Sequence, residues 1–349
     1  MPSTSDIEVI APHFKQRLSG VTSTVIQLIP RQAKAGVRIA TLGPGLPDHL
    51  PKMAFLDLLK CWKRPASGRQ RIWHARRNNE MVVGVLLRDV LRMPLRLVFT
   101  SAAQRRHTRY TKWLIGRMDQ VVATSARSGS FLDVPHTVVM HGIDTALFHP
   151  AESADDRFSA AGLPGRYAIG CSGRVRHQKG TDLFVDAMIA LLPHYAPWTA
   201  IIAGRVTPEH QAFADQLKSK IEKAGLAERI LFLGEVDDIK VWYRRFSLFV
   251  APSRNEGFGL TPLEAMASST AVVTSDAGAY AEMVVPGRTG MVAPAGDGDA
   301  LRNAIEPYLA DPDRAKRHGQ NALAHVRQAF DIGNEVEGLR RVYEMANAP

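Results

Sequence analysis

The sequence predicts an α/β fold made of two consecutive open domains, each built on a parallel sheet. Three observations carry that expectation. At 349 residues the chain is longer than one hydrophobic core usually organises. Short apolar runs alternate with helix-length amphipathic segments, the rhythm of strands joined by crossover helices. That rhythm stops at a polar stretch containing Ala, Ser and Asp, over 150–165, and then starts again.

In the first half, residues 7–10 read as a strand and 25–34 as a helix. A strand over 37–42 ends at Gly43-Pro-Gly45. Residues 71–74 form a strand. Residues 79–92 form a helix with an apolar stripe at Met81, Val82, Val85, Leu86 and Val90. Strands over 95–100 and 121–123 flank a helix over 109–117. In the second half, strands are expected over 167–171, 199–202, 230–233, 248–251 and 271–274. Helices are expected over 181–192, 209–224 and 239–246, with another after Glu256. From Asp299 the chain reads as polar helix, broken near Asp311-Pro312. The expected domains are 1–155, 156–330 and a C-terminal helix over 331–349, open to packing back on the first domain. Ligands of such sheets bind on loops beyond the carboxyl ends of the strands, so a cleft between the two sheets is the expected site.

Composition excludes several classes. No apolar run approaches the roughly 20 residues of a membrane span. Residues 1–20 lack the apolar core of a secretory signal. Cys61 and Cys171 have no metal-ligand spacing and read as reduced thiols of a cytoplasmic protein. The net charge of +10 is unevenly spread. Residues 1–150 hold 22 Lys and Arg against 9 Asp and Glu, a net +13, whereas 151–349 hold 22 against 25, a net −3. The first half therefore suits an acidic partner, with a solvated basic face as the plain alternative. No nucleic-acid-binding motif or aromatic platform accompanies the charge.

Two loops carry chemistry. Gly170-Cys-Ser-Gly173-Arg174-Val-Arg176-His177-Gln-Lys179-Gly180 follows the first strand of the second domain. A guanidinium fork at Arg174 and a point charge at Lys179 would offset much of the charge of a diphosphate. A solvated basic loop is the alternative. The stretch Glu256-Gly-Phe-Gly-Leu-Thr-Pro-Leu-Glu264 places two carboxylates around a Gly-x-Gly turn at a strand-to-helix switch. Such a turn presents N–H groups to an anion. Thr261, Pro262 and Glu264 also read as N-cap, first helical residue and capping-box partner. Glu256 has no such explanation. A carboxylate beside a diphosphate must face hydroxyls, which argues for Glu256 on a sugar and Glu264 on a ribose.

Glu256 and Glu264, with Gly257, Phe258 and Gly259 between them, resemble the two-glutamate motif of the retaining glycosyltransferases of family 4. These have the GT-B fold of two Rossmann-like domains facing across a cleft. Ser172-Gly173-Arg174 with Lys179-Gly180 resembles the family's donor-phosphate loop. Met140-His-Gly142-Ile-Asp144 with Phe148-His-Pro150 resembles the segment ending its first domain. Asp276-Ala-Gly278-Ala-Tyr-Ala-Glu282, then Gly290, resembles a sugar-contacting loop. The match runs from about residue 7 to about 330.

The resemblance implies a nucleotide-sugar donor and no metal or other cofactor. Arg174 and Lys179 would hold the diphosphate, and the N–H groups near Phe258, Gly259 and Leu260 would meet phosphate or hexose. Glu256 would hold hexose hydroxyls, Glu264 the ribose, and the segment at Val236 the base. Arg17-Leu-Ser19-Gly20-Val-Thr22 resembles the glycine loop near the acceptor, with Ser19-Gly20 in place of two glycines. The family's first-domain histidine is replaced by the Ser101-Ala-Ala103 run, which leaves His107 as the catalytic candidate and His74 as an alternative placed with the acceptor. Either a covalent carboxylate intermediate or front-face attack is compatible, and no first-domain carboxylate stands out as nucleophile.

Within the family, Ile72-Trp-His-Ala-Arg76 with Asn79-Glu-Met81, and the run from Phe99 to His107, resemble the bacterial lipopolysaccharide-core mannosyltransferases. That implies GDP-mannose as donor and a lipid-anchored core as acceptor, met by Ser19, His74, Arg105 and Arg106. The basic cluster Arg105, Arg106, His107, Arg109, Lys112 and Arg117 would meet either the anionic cytoplasmic face of the inner membrane or an acceptor phosphate. A sugar-nucleotide epimerase of the same fold and a non-enzymatic anionic-ligand-binding protein are the alternatives.

Overall fold

The computed structural model describes residues 4–15 and 20–348. Two compact units divide the chain: 1–142 with 332–349, and 143–331.

The first unit contains β1 (Val9–Pro12), α1 (Gly20–Lys34), β2 (Ile39–Leu42), β3 (Lys52–Met53), β4 (Arg71–Ala75), α2 (Asn78–Val85), β5 (Leu95–Ser101), α3 (Arg109–Ile115), β6 (Gln120–Ala123), α4 (Ala126–Gly129) and β7 (Thr137–Val138). The second contains β8 (Tyr167–Ser172), α5 (Thr181–Leu191), β9 (Trp198–Ala203), α6 (Gln211–Lys223), β10 (Ile230–Gly234), α7 (Ile239–Arg245), β11 (Leu248–Ala251), α8 (Thr261–Ala267), β12 (Ala271–Ser275), α9 (Tyr280–Met283), β13 (Gly290–Ala293), α10 (Gly298–Ala310) and α11 (Pro312–Ala329). The last helix, α12 (Ile332–Ala346), belongs to the first unit.

Both sheets are parallel, with orders β3-β2-β1-β4-β5-β6-β7 and β10-β9-β8-β11-β12-β13. Strand direction of winding reverses between β1 and β4 in one unit and between β8 and β11 in the other. Such switch points open a crevice at the carboxyl ends of the two strands. The strands are buried on both faces, as a sheet with helices on either side requires. In the first unit one face is covered by α1 and α12 through Val25, Leu28, Ile29, Val336, Leu339 and Val342. The opposite face is packed around Trp73, Met81, Leu97 and Leu114. The second unit has one large cluster that includes Phe184, Met188, Trp198, Val250 and Tyr308.

Several elements differ from the sequence reading. The two-residue strand β3 and the Gly-led β13 are too short to show a periodicity, and a 3-10 helix over Phe55–Trp62 forms where the sequence suggests no element. The helix expected over 79–92 is α-helical only to Val85 and loosens into a π turn over Leu86–Val90, closed by Arg92 at φ +57°. The division between units falls at Gly142/Ile143 and not after residue 155. Ile143 already bridges to Asp331, and Phe148 packs against Tyr243 of the second unit. Among the described residues, no helix is long and apolar enough to cross a membrane.

Candidate functional site

The second unit gathers most of the proposed donor residues on two loops. One follows β8 and holds Gly173, Arg174 and Lys179. The other follows β11 and runs from Pro252 to Leu260. Because β8 and β11 pair directly, Leu248 with Ile169 and Phe249 with Gly170, these loops emerge side by side at the switch point. They are also fastened together. The Arg254 N–H donates to the Gln178 carbonyl at 2.9 Å. The Arg254 guanidinium forms a two-pronged ion pair with Asp182 at the start of α5, both contacts 2.7 Å. Gly180 adopts φ +71°, and a Cβ there would lie 2.0 Å from the Pro252 carbonyl oxygen, so only glycine permits the approach.

That fastening brings the Lys179 ammonium into an ion pair with the Glu256 carboxylate, both half-buried. Glu256 also accepts from its neighbour's backbone at Gly257 (3.2 Å) and from the Tyr280 hydroxyl (3.4 Å). Gly259, at φ +87°, packs against the Tyr280 ring and the Glu256 side chain, with no room for a Cβ. Phe258 is buried under the turn. The N–H groups of Gly259 and Leu260 donate to no group among the described residues. Arg174, on the loop after β8, is exposed and has no ion pair among the described residues.

Glu264 does not cap α8. Leu260 holds the N-cap position without a side-chain bond, and the Glu264 carboxylate instead accepts from the Tyr243 hydroxyl at 2.7 Å. Tyr243 is buried and its hydroxyl also meets Ser172 at 3.0 Å. Burial raises the Glu264 carboxyl above the usual carboxylate range, opposed by the Tyr243 bond and the Lys179 charge. Burial and the Glu264 charge push Tyr243 well above 10. Val236 lies half-buried in the turn after β10, two strands from β8. Asp297 caps α10 through the Ala300 N–H at 2.9 Å, and among the described residues no three His, Cys, Asp or Glu are grouped to hold a metal ion.

In the first unit Ser19 lies outside the described residues, and Gly20 is the first residue of α1. Arg105 and Arg106 are exposed on the loop after β5. His107 is half-buried there, 3.5 Å from the Ser101 hydroxyl, and burial with the nearby Arg105 charge lowers its pKa. His74 is corrected to a core residue. It is 0% exposed, with Nδ1 2.8 Å from the Tyr343 hydroxyl of α12 and Nε2 2.7 Å from Thr100. Both ring nitrogens are thereby used inside the fold.

Several residues at the two switch points escaped the sequence reading. Tyr243 and Tyr280 have no role in that reading, because what their hydroxyls touch depends on tertiary contacts. Arg254, adjoining the quoted motif, and Asp182, at a helix start, offered a weak signal. In the first unit His13 directly follows β1 and is buried, with Nδ1 3.1 Å from Arg77. Arg77 pairs with the fully buried Glu80 at 2.8 Å, and Glu80 also accepts from the Arg76 N–H at 2.7 Å. A histidine ending the first strand was the available clue.

Residues 153–325 match the family described as Glycosyl transferases group 1. The chain is 66% identical over 343 residues to the lipopolysaccharide core biosynthesis mannosyltransferase LpcC of Rhizobium leguminosarum bv. viciae, covering 98% of this chain and 97% of that protein. It is 54% identical to the lipopolysaccharide core biosynthesis mannosyltransferase LpsB of Rhizobium meliloti (strain 1021), covering 99% of each. Among solved structures, Anabaena HepE in complex with UDP and glucose superposes with a TM-score of 0.80 at 21% identity, over 96% of this chain and 98% of that one. The fold is thus the GT-B arrangement of two parallel-sheet α/β domains. With near-complete coverage of relatives at this identity, the chain belongs to the group 1 glycosyltransferases.

Proposed function

We propose that this enzyme is a retaining lipopolysaccharide-core mannosyltransferase. It moves mannose from GDP-mannose to a lipid-anchored core acceptor without a metal ion, at the cytoplasmic face of the inner membrane. The observation that carries the reading is the Lys179–Glu256 pair at the β8/β11 switch point, with an unpaired Arg174 on the loop after β8 and two unengaged N–H groups on the loop after β11. The names of the two full-length relatives supply the sugar and the acceptor class.

On this reading the donor diphosphate lies over Gly173, between Arg174, Lys179 and the N–H groups at Gly259 and Leu260. Glu256 orients Lys179 and accepts from mannose hydroxyls. Glu264, held by Tyr243, receives the ribose, and the guanine lies near Val236. The bond from the anomeric carbon to the phosphate oxygen breaks as the acceptor oxygen bonds to the same face of that carbon. The departing phosphate takes the acceptor's hydroxyl proton. Arg174 and Lys179 stabilise the negative charge that develops on GDP, which is electrostatic catalysis. The basic first unit receives the acceptor, with Arg105 and Arg106 on its acidic groups and His107 as its catalytic candidate.

The test is a panel of nucleotide sugars screened for protection against thermal unfolding, followed by turnover with a lipopolysaccharide-core acceptor in EDTA. Protection by GDP-mannose and a mannosylated product are expected. Protection by UDP-sugars alone would overturn the donor assignment. An altered nucleotide sugar without glycolipid product would mark an epimerase.

A further inference from the structure

The 3-10 helix Phe55–Trp62 presents Phe55, Leu56, Leu59 and Trp62 outward. Leu56 is 77% and Leu59 68% exposed. Only Cys61 of this helix is buried. The Trp62 indole N–H donates to the Leu91 carbonyl at 2.8 Å, which joins the helix to a second exposed apolar turn at Leu86, Val90 and Leu91. The two exposed apolar segments are thereby held next to each other, and exposed apolar surface of this kind marks an interaction.

Its rim is cationic. Lys60, Lys63 and Arg64 border Trp62, and Arg92 follows Leu91. The acids of the two stretches are neutralised: Asp57 by Lys60 at 2.8 Å, and Asp89 by Arg88 at 2.6 Å and Arg117 at 2.9 Å. Over 55–64 and 86–92 together, five Lys or Arg stand against two Asp. A second copy of the chain on this surface would set like charges face to face. An anionic bilayer complements both features, because Leu and Trp settle at the headgroup boundary while Lys and Arg meet anionic headgroups.

We propose that this surface docks the enzyme on anionic bilayers, with Leu56 and Leu59 entering the lipid. The sequence pointed instead to the basic stretch Arg105 to Arg117. The proposal rests on the mannosyltransferase reading only for its purpose, delivery to a lipid-borne acceptor, and it is tested without turnover.

The probe is cosedimentation of the full chain with phosphatidylcholine vesicles, with and without phosphatidylglycerol. The variant carries Leu56→Asp and Leu59→Asp, both at exposed positions. Wild type should bind the anionic vesicles and release at high salt. The variant should keep the wild-type melting temperature and lose at least about tenfold in partitioning. Equal binding by variant and wild type would overturn the proposal, as would no binding by wild type. So would a wild-type dimer that the variant dissolves in sedimentation velocity. The donor reading is separable: vesicle binding lost in the variant, in a chain that GDP-mannose does not protect, leaves this surface standing and removes the donor.

Discussion

Lys179, on the turn after β8, is ion-paired with Glu256, on the turn after β11. The contact exists because the two strands are neighbours in space although far apart in sequence. Removing the ammonium should strip the developing charge of its partner. Lys179→Ala is expected to lower turnover by about a hundredfold or more. Its cost in stability should stay near about 1 kcal/mol, since Glu256 keeps the Gly257 and Tyr280 bonds. Single-turnover kinetics with urea unfolding separate the two; near-wild-type turnover would remove Lys179 from the mechanism.

Arg174 offers a cleaner contrast, because it is exposed and pairs with nothing among the described residues. Arg174→Ala should unfold within about 0.5 kcal/mol of wild type. GDP-mannose should nevertheless protect it far less in a thermal shift. Undiminished protection would place the diphosphate elsewhere.

Tyr243 tests the proposed ribose contact of Glu264. Tyr243→Phe leaves the Glu264 carboxylate and the Ser172 hydroxyl without their shared partner. A loss of about 1–3 kcal/mol is expected in urea unfolding. Weaker GDP-mannose protection should accompany it. Glu264, already raised by burial, should rise further, which NMR titration of the carboxyl reads directly.

Stability should also fall in mild acid through His13. Burial, then the Arg77 and Arg76 charges, lowers its pKa from 6.5 to about 4. The unfolded chain therefore binds a proton that the folded chain refuses. The contribution is whole above pH 6.5 and is lost as pH falls toward about 4, on the order of 3 kcal/mol in all. Urea midpoints near pH 7.5 and near pH 4.5 should differ less in His13→Gln than in wild type. An unchanged difference would exclude His13 as the source.

Glu80 anchors the switch point of the first unit. It is fully buried and pairs with Arg77 while accepting from the Arg76 N–H, so Glu80→Ala removes a buried carboxylate that two groups of the first unit use. A cost of about 3–5 kcal/mol is expected in thermal or urea unfolding. A cost under about 1 kcal/mol would show that the ion pair with Arg77 contributes little to the fold.

The sequence by itself determined the strand and helix rhythm, because period-2 and period-3.6 patterns are local properties of the chain. It also determined which loops hold Arg174, Lys179, Glu256 and the glycines, since these loops are short and follow strongly apolar strands. Tertiary structure decided what those side chains touch. The partner of Glu264 is Tyr243, on a separate helix, and the partners of His74 are Thr100 and Tyr343, the latter 269 residues away. It also decided that Leu56 and Leu59 of the Phe55–Trp62 helix face outward. An apolar residue carries no sign in the sequence of whether a core or a solvent face receives it; only the packing of the rest of the chain settles that.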